Sequence, residues 1–413
     1  MTASRDSLIR YLREWEHGRN VPQQPYRDLL SALYGKSLDE LGIATSAPQA
    51  RSDVGLIYAT SLLEAVDAVA HLARFDEQRH PGVVAGHFSE EAIYAACLDW
   101  LFGSVRNDLT NGAGRVVHRD VEEVVATTTM FDGLDRTFGG EHSRALAVKY
   151  LREVVVPRLH GTYDEAVGRS LFQAAAVLCE VIGYMAYDDD KHSLAQRYFV
   201  QSLRFAKEAG DSAYGAYVLN TMSHQAFYLG HTREALRLAQ VARQGYTGTH
   251  MPAVQTEAAM LEARAHAALR DATSATQALQ DAERFFSLHS PDDAPNWAAH
   301  WTDVVFASFA GHGWLDLGNP AVARPHLVAA AQSAAGQPRR VVFSSAQLSR
   351  LALLEGDIEQ AIAHATAATT AATTVKSKRS QQVIRDLRAE FTPHAKDRTV
   401  EHFLQQTALE PPK

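Results

Sequence analysis

One recurrence constrains this chain more than any other feature. A small residue in one helical stretch is followed twelve positions later by an alanine, and the pairing occurs five times. The pairs are Gly183 with Ala195, Ser223 with Ala235, Ala263 with Ala275, Gly311 with Ala323, and Ser349 with Ala361. A second small residue follows seven positions further on, at Ser202, Ala242, Ala282, Ala330 and Ala368. The spacing between successive pairs is 40, 40, 48 and 38 residues. Two antiparallel helices can approach closely only where both present small side chains. A register of small residues therefore predicts stacked helical hairpins.

The turns agree with that reading. YLGHTREA, DLGNPAVA and LEGDIEQA each place a glycine where a helix should end, with a capping residue soon after. Strand signals are scarce, because Ala, Leu, Glu, Gln and Arg dominate at helical spacing. The expected fold is all-α, and residues 166–375 resemble tetratricopeptide repeats stacked as an α-solenoid. The repeat spacing exceeds the roughly 34 residues of that consensus, which implies longer helices or loops. Around the repeats we expect a helical piece at 1–45 and a linker at 46–58. A helical N-terminal part of the solenoid follows at 59–165, and a capping helix and tail at 376–413.

Composition narrows the class. Hydrophobic residues make up 46% and charged residues 21% of the 413, as in an ordinary globular protein. The two cysteines, Cys97 and Cys179, sit in apolar helical patterns and read as core residues of a reducing compartment. The N-terminus is polar and carries no apolar signal region, and no apolar run long enough to span a membrane is expected. The expected location is the cytoplasm, with no membrane partner. A net charge of −8 gives no general attraction to nucleic acid, so any DNA contact must be local.

Such a local element stands at the N-terminus. Trp15-Glu16-His17-Gly18-Arg19 is followed by Pro22, by Tyr26, Leu29 and Leu30, and by Tyr34-Gly35. The stretch resembles the second half of a Cro/repressor-type helix-turn-helix domain, and Met1 falls just before its recognition helix. The resemblance implies DNA contacts from Arg5, Ser7, Arg10 and Arg13, since arginine reads guanine edges or grips phosphate. Within 1–45, six basic and six acidic residues cancel. Together with FDGLDRTFGGEHSRA and YVLNTMSHQAFYLG, these features resemble actinobacterial transcriptional regulators that join such a domain to tetratricopeptide repeats. The resemblance implies a DNA partner and repeats that bind a peptide or small molecule, or that dimerise. The alternative is an interaction adaptor that does not bind DNA.

In a solenoid the first helix of each pair lines the concave face. Positions three before and one after each aligned small residue should point inward. The expected ligand-binding residues are Glu180, Tyr184, Asn220, His224, Arg264, His312 and Arg350, with Tyr228 one turn on. Asn220 is the strongest candidate, because an amide can both donate to and accept from a peptide backbone. The sequence holds no HExxH, CxxC, P-loop, GxGxxG or GxSxG pattern. We therefore expect no metal, no cofactor and no catalytic residue. The run Asp188-Asp189-Asp190 is expected to cap the helix that follows it. The basic stretch Lys376, Lys378, Arg379, Arg385 and Arg388 is expected to give the last helix a polar outer face.

Overall fold

The computed structural model describes residues 53–407, apart from 85, 105–113, 141–142 and 246–250, together with Tyr26 and Leu30. The chain divides into two units, Met1–Arg51 and Ser52–Lys413. In the first, Tyr26 and Leu30 are helical and half-buried. The residues expected to meet DNA lie outside the described residues.

The second unit is all-helical among the described residues, save an isolated bridge between Arg115 and Thr162. It opens with α1 (Leu62–Glu77), α2 (Pro81–Val84), α3 (Glu90–Phe102), α4 (His118–Phe138) and α5 (Arg144–Tyr150). A π-helical turn, Leu151–Val155, leads into α6 (Val156–Leu159). Five helix pairs follow: α7 (Glu165–Asp188) with α8 (His192–Ala209), α9 (Ser212–Tyr228) with α10 (Thr232–Gln244), α11 (Pro252–Ala268) with α12 (Ala272–Phe286), α13 (Asp303–Asp316) with α14 (Pro320–Gln332), and α15 (Pro338–Leu354) with α16 (Ile358–Ala372). The unit ends in α17 (Lys378–Phe391) and α18 (Arg398–Gln406).

All ten aligned small residues are buried at the contacts within these pairs. The serines add a hydrogen bond there. Ser223 Oγ donates to the carbonyl of Ala235 at 2.7 Å, and Ser349 Oγ to that of Ala361 at 2.9 Å. The two helices of every pair are joined by three residues, of which the middle one has positive φ: Asp190, Gly230, Arg270, Gly318 and Gly356. The residue after it donates its backbone N–H to a carbonyl five positions back, closing the first helix. This is a Schellman-type stop, for which glycine costs least. Asp190 and Arg270 accept the left-handed conformation without that advantage.

Helix α8 is buried on every side, including Arg197 and Arg204. Buried cations need partners, and residues 53–102 wrap the helix to supply them. Arg204 Nε donates to Ala59 O at 2.7 Å, Arg197 to Val54 O, and Gln201 Nε2 to Gly55 O at 2.9 Å. Ser89 and Gln196 exchange two hydrogen bonds, at 2.9 and 2.6 Å. Cys97 and Cys179 are free and buried.

Two local expectations are corrected. The run Asp188-Asp189-Asp190 does not cap the following helix. Asp188 is the last residue of α7, and Lys191 precedes α8 without a side-chain cap. Helix α7 is also long and apolar enough to cross a bilayer by length and composition, contrary to the reading of the sequence, and most of that stretch is packed within the unit. Its apolar character comes from Leu171, Val177, Leu178, Val181 and Ile182 together with several alanines, and the polar residues Gln173 and Glu180 interrupt it, so that no uninterrupted apolar run marks it in the sequence.

Candidate functional site

The first helices of successive pairs are linked by polar contacts that run from one to the next. Thr221 of α9 donates to Glu180 of α7 at 3.3 Å. Asn220 Nδ2 of α9 reaches Glu257 of α11 at 3.3 Å, and His224 Nε2 stands 3.4 Å from the same carboxylate. Arg264 of α11 contacts His312 Nε2 of α13 at 3.3 Å and Asp316 at 3.1 Å. Gln347 of α15 reaches His312 at 2.9 Å. Arg350 of α15 donates to Glu390 of α17 at 2.8 Å.

The series then returns to its start. Arg379 of α17 donates to the Tyr184 hydroxyl of α7 at 3.1 Å and lies over the Tyr187 ring at 4.3 Å. Helices α7, α9, α11, α13, α15 and α17 thus form a closed circuit of contacts. Arg379 is therefore enclosed between α17 and α7, and does not sit on a polar outer face as the sequence had suggested.

Several side chains of the circuit are neither surface nor core. His224, Arg264, His312 and Arg350 expose 21, 17, 26 and 25% of their side chains. Tyr184, Tyr217, Tyr228 and His300 are likewise half-buried. Tyr228 packs its ring at 5.6 Å from Tyr187 and 5.4 Å from His192. Asn220 is fully buried, and its amide nitrogen also donates to Val254 O at 3.1 Å. That nitrogen therefore ties α9 to α11, which leaves Oδ1 alone without a partner.

The protonation states follow from the environment. Burial, seconded by the Arg264 cation, drives His312 down to about 3, so the imidazole is neutral at physiological pH. Its partner confirms the tautomer. A guanidinium only donates, so Nε2 must carry the lone pair. Glu180 behaves oppositely: burial, seconded by the charge of Asp132, pushes it up to about 8. The unfolded carboxyl titrates near 4.5. A folded value above the unfolded one gives stability that is complete below pH 4.5 and is lost as pH rises through about 8. We expect the wild-type melting temperature to decline across this window and Glu180→Gln to flatten the decline. Parallel curves for the two proteins would show that Glu180 is not the titrating group.

Some features of the region have no signal in the sequence. Trp297 and His300 arrive on the segment between α12 and α13 and pack against Tyr217 at 5.4 and 6.1 Å. The lengthened spacing of 48 residues is the only trace of that segment. Elsewhere, Glu90, His231 and Glu234 bring one ligand atom each within 4.8 Å of one another. His231 Nδ1 lies 2.6 Å from Glu90, and Glu234 accepts from the Tyr94 hydroxyl at 2.8 Å. Both carboxylates stand in first helical turns, where they balance the dipole. This cluster fastens α3 to α10, far apart in sequence. Comparison with protein-family models, with curated proteins and with solved structures gave no match.

Proposed function

We propose that the chain is a transcriptional regulator. In this reading residues 1–45 are its helix-turn-helix part, with Arg5, Ser7, Arg10 and Arg13 toward DNA. The paired helices between 165 and 372 serve as a tetratricopeptide-like α-solenoid that binds a peptide or small-molecule signal or mediates homodimerisation. No cofactor and no catalytic residue enters the reading.

One observation supports the sensing half. Half-buried tyrosine, histidine and arginine side chains from successive first helices gather along one continuous line of contacts. Side chains of this kind pair with the backbone and charged ends of an extended peptide. The DNA-binding half is supported by the Trp15-Glu16-His17-Gly18-Arg19 stretch alone.

The test is a gel-shift titration of the full chain with DNA flanking its own coding sequence, at low and moderate salt. The expected result is a sequence-specific shift that weakens with salt, because phosphate contacts release counterions. Arg10→Ala and Arg13→Ala should each lower the affinity. Absence of any specific shift at low salt would sink the regulator reading.

A further inference from the structure

Outside the contact circuit, one group of side chains has the donor set and the convergence of a metal centre. Glu90 of α3, Glu234 of α10 and His231, the residue before α10, bring one ligand atom each within 4.8 Å of one another. Two carboxylates this close repel each other. Glu90 meets the His231 imidazole at 2.6 Å, and Glu234 meets the Tyr94 hydroxyl at 2.8 Å. Neither carboxylate forms an ion pair with a lysine or arginine among the described residues. Arg237, one turn further along α10, donates to the Tyr94 hydroxyl at 2.7 Å instead. The helix N-termini offset part of the repulsion. A divalent cation would relieve the rest by bonding all three ligand atoms at once.

The surroundings orient the three groups as outer contacts orient metal ligands. The His231 backbone N–H donates to Ala226 O at 2.9 Å, which closes the α9 stop and fixes the residue. Its ring stacks on Phe88, with centroids 4.8 Å apart and planes 24° apart. The Tyr94 hydroxyl orients Glu234, and Arg237 holds Tyr94 in turn, lying over its ring at 5.4 Å. The site is also reachable. His231 and Glu90 expose 33 and 46% of their side chains, so an ion enters from solvent and water completes its shell. Zinc bonds of about 2 Å set tetrahedral ligand atoms about 3.3 Å apart. Rotations of these partly exposed side chains cover the difference. One nitrogen and two oxygen donors, with no thiolate, suit zinc and its transition-metal neighbours, whereas magnesium and calcium favour oxygen alone.

We propose that Glu90, His231 and Glu234 form a zinc-class metal site, with solvent in the remaining position, that clips α3 onto α10. The inference goes beyond the regulator reading and stands independently of it. Helix α3 belongs to the segment that wraps α8, and α10 to the second helix pair. A metal ion shared between them makes the seating of that wrap depend on metal, because binding to the folded site alone stabilises the fold. Only His231 and Glu234 share a local spacing, so the trio has no linear motif.

The experiment uses the untagged full chain, stripped of metal with a chelator and dialysed. Zinc chloride is titrated by calorimetry, and cobalt chloride by its visible absorption. The wild type should bind one ion of each in a saturable step, with zinc held more tightly than manganese, as the usual affinity order requires. Tyr94→Phe, which frees Glu234 from its orienting hydroxyl, should weaken zinc binding by about tenfold or more. His231→Gln and Glu90→Gln should each abolish the saturable step. Circular dichroism verifies their fold, and Glu90, being exposed, keeps the test open if His231→Gln fails to fold. Zinc should also slow hydrogen exchange in α3 and α10 of the wild type, which an ion pair between His231 and Glu90 alone would not make metal-dependent. Absence of a saturable step in the wild type overturns the proposal. So does a step that survives in a folded His231→Gln or Glu90→Gln variant, since the ion would then be held by other residues.

Discussion

Replacing Asp188 by alanine should destabilise the second unit by about 3–5 kcal/mol, the range for removing one partner of a buried charge network. Asp188 has no exposed surface. Its carboxylate accepts from Ser377 Oγ at 2.9 Å and from the Gly140 backbone N–H at 3.3 Å. It faces Arg339 at 3.5 Å and Arg379 at 3.9 Å. These partners come from the segment after α4, from α15, and from the start of α17, so one side chain gathers the two ends of the contact circuit. Alanine would leave Arg379 with the Tyr184 hydroxyl and the faces of Tyr184, Tyr187 and Phe343 but no carboxylate, and Arg339 with Asp135 as its one remaining carboxylate among the described residues. Asp190 provides the control. It is exposed and, among the described residues, pairs with His192 alone, at 2.9 Å, so its replacement should cost less than about 1 kcal/mol. Urea denaturation followed by circular dichroism measures both. Similar midpoints for the two variants would mean that Asp188 does not hold the circuit closed.

The three neighbouring aspartates mark the boundary of what local sequence can say. Their identity and spacing suggest capping, and nothing in the run distinguishes Asp188 from Asp190. The distinction is made by Ser377 and Arg379, which arrive from the far end of the chain. The helix pairs were legible because their determinants are local. Small residues twelve apart and glycine at the stop report contacts within one hairpin. Even there the reading was partial. Gly230, Gly318 and Gly356 announce their turns, whereas Asp190 and Arg270 adopt the same conformation unannounced. The candidate site was legible as a set of helix positions. Which of those side chains spend their polar atoms on the neighbouring helix, as Asn220 Nδ2 does, depends on tertiary contacts that periodicity cannot encode.

The register itself yields the strictest expectation. Gly183→Val should prevent stable folding, or cost upwards of about 3 kcal/mol, because overpacking of a closed contact has no inexpensive relief. A Cβ at Gly183 would stand 2.6 Å from Phe199 Cε1 and 2.7 Å from its Cδ1, with Ala195 O at 3.2 Å. Phe199 has no exposed surface into which it could turn. The residues equivalent to Gly183 solve the same problem in other ways. Ser223 and Ser349 tolerate a side chain and use its hydroxyl on the facing carbonyl, and Gly311 lies against Leu327 with a Cβ position 2.7 Å from Cδ2. Small size is thus required at every level, while absence of a side chain is required only where a large neighbour fills the gap. That distinction makes the cause testable. Gly183→Ala and Phe199→Leu should each destabilise alone, yet the double variant should recover about 0.5–3 kcal/mol relative to their sum. Simple additivity in that cycle would mean that some feature other than the Phe199 ring excludes a side chain at Gly183. The circuit makes the cost general: α7 receives α17 as well as α9, so a displaced α7 disturbs both ends of the series. Loss of protection from proteolysis should then appear at the α17 junction as well as at the α7–α8 turn.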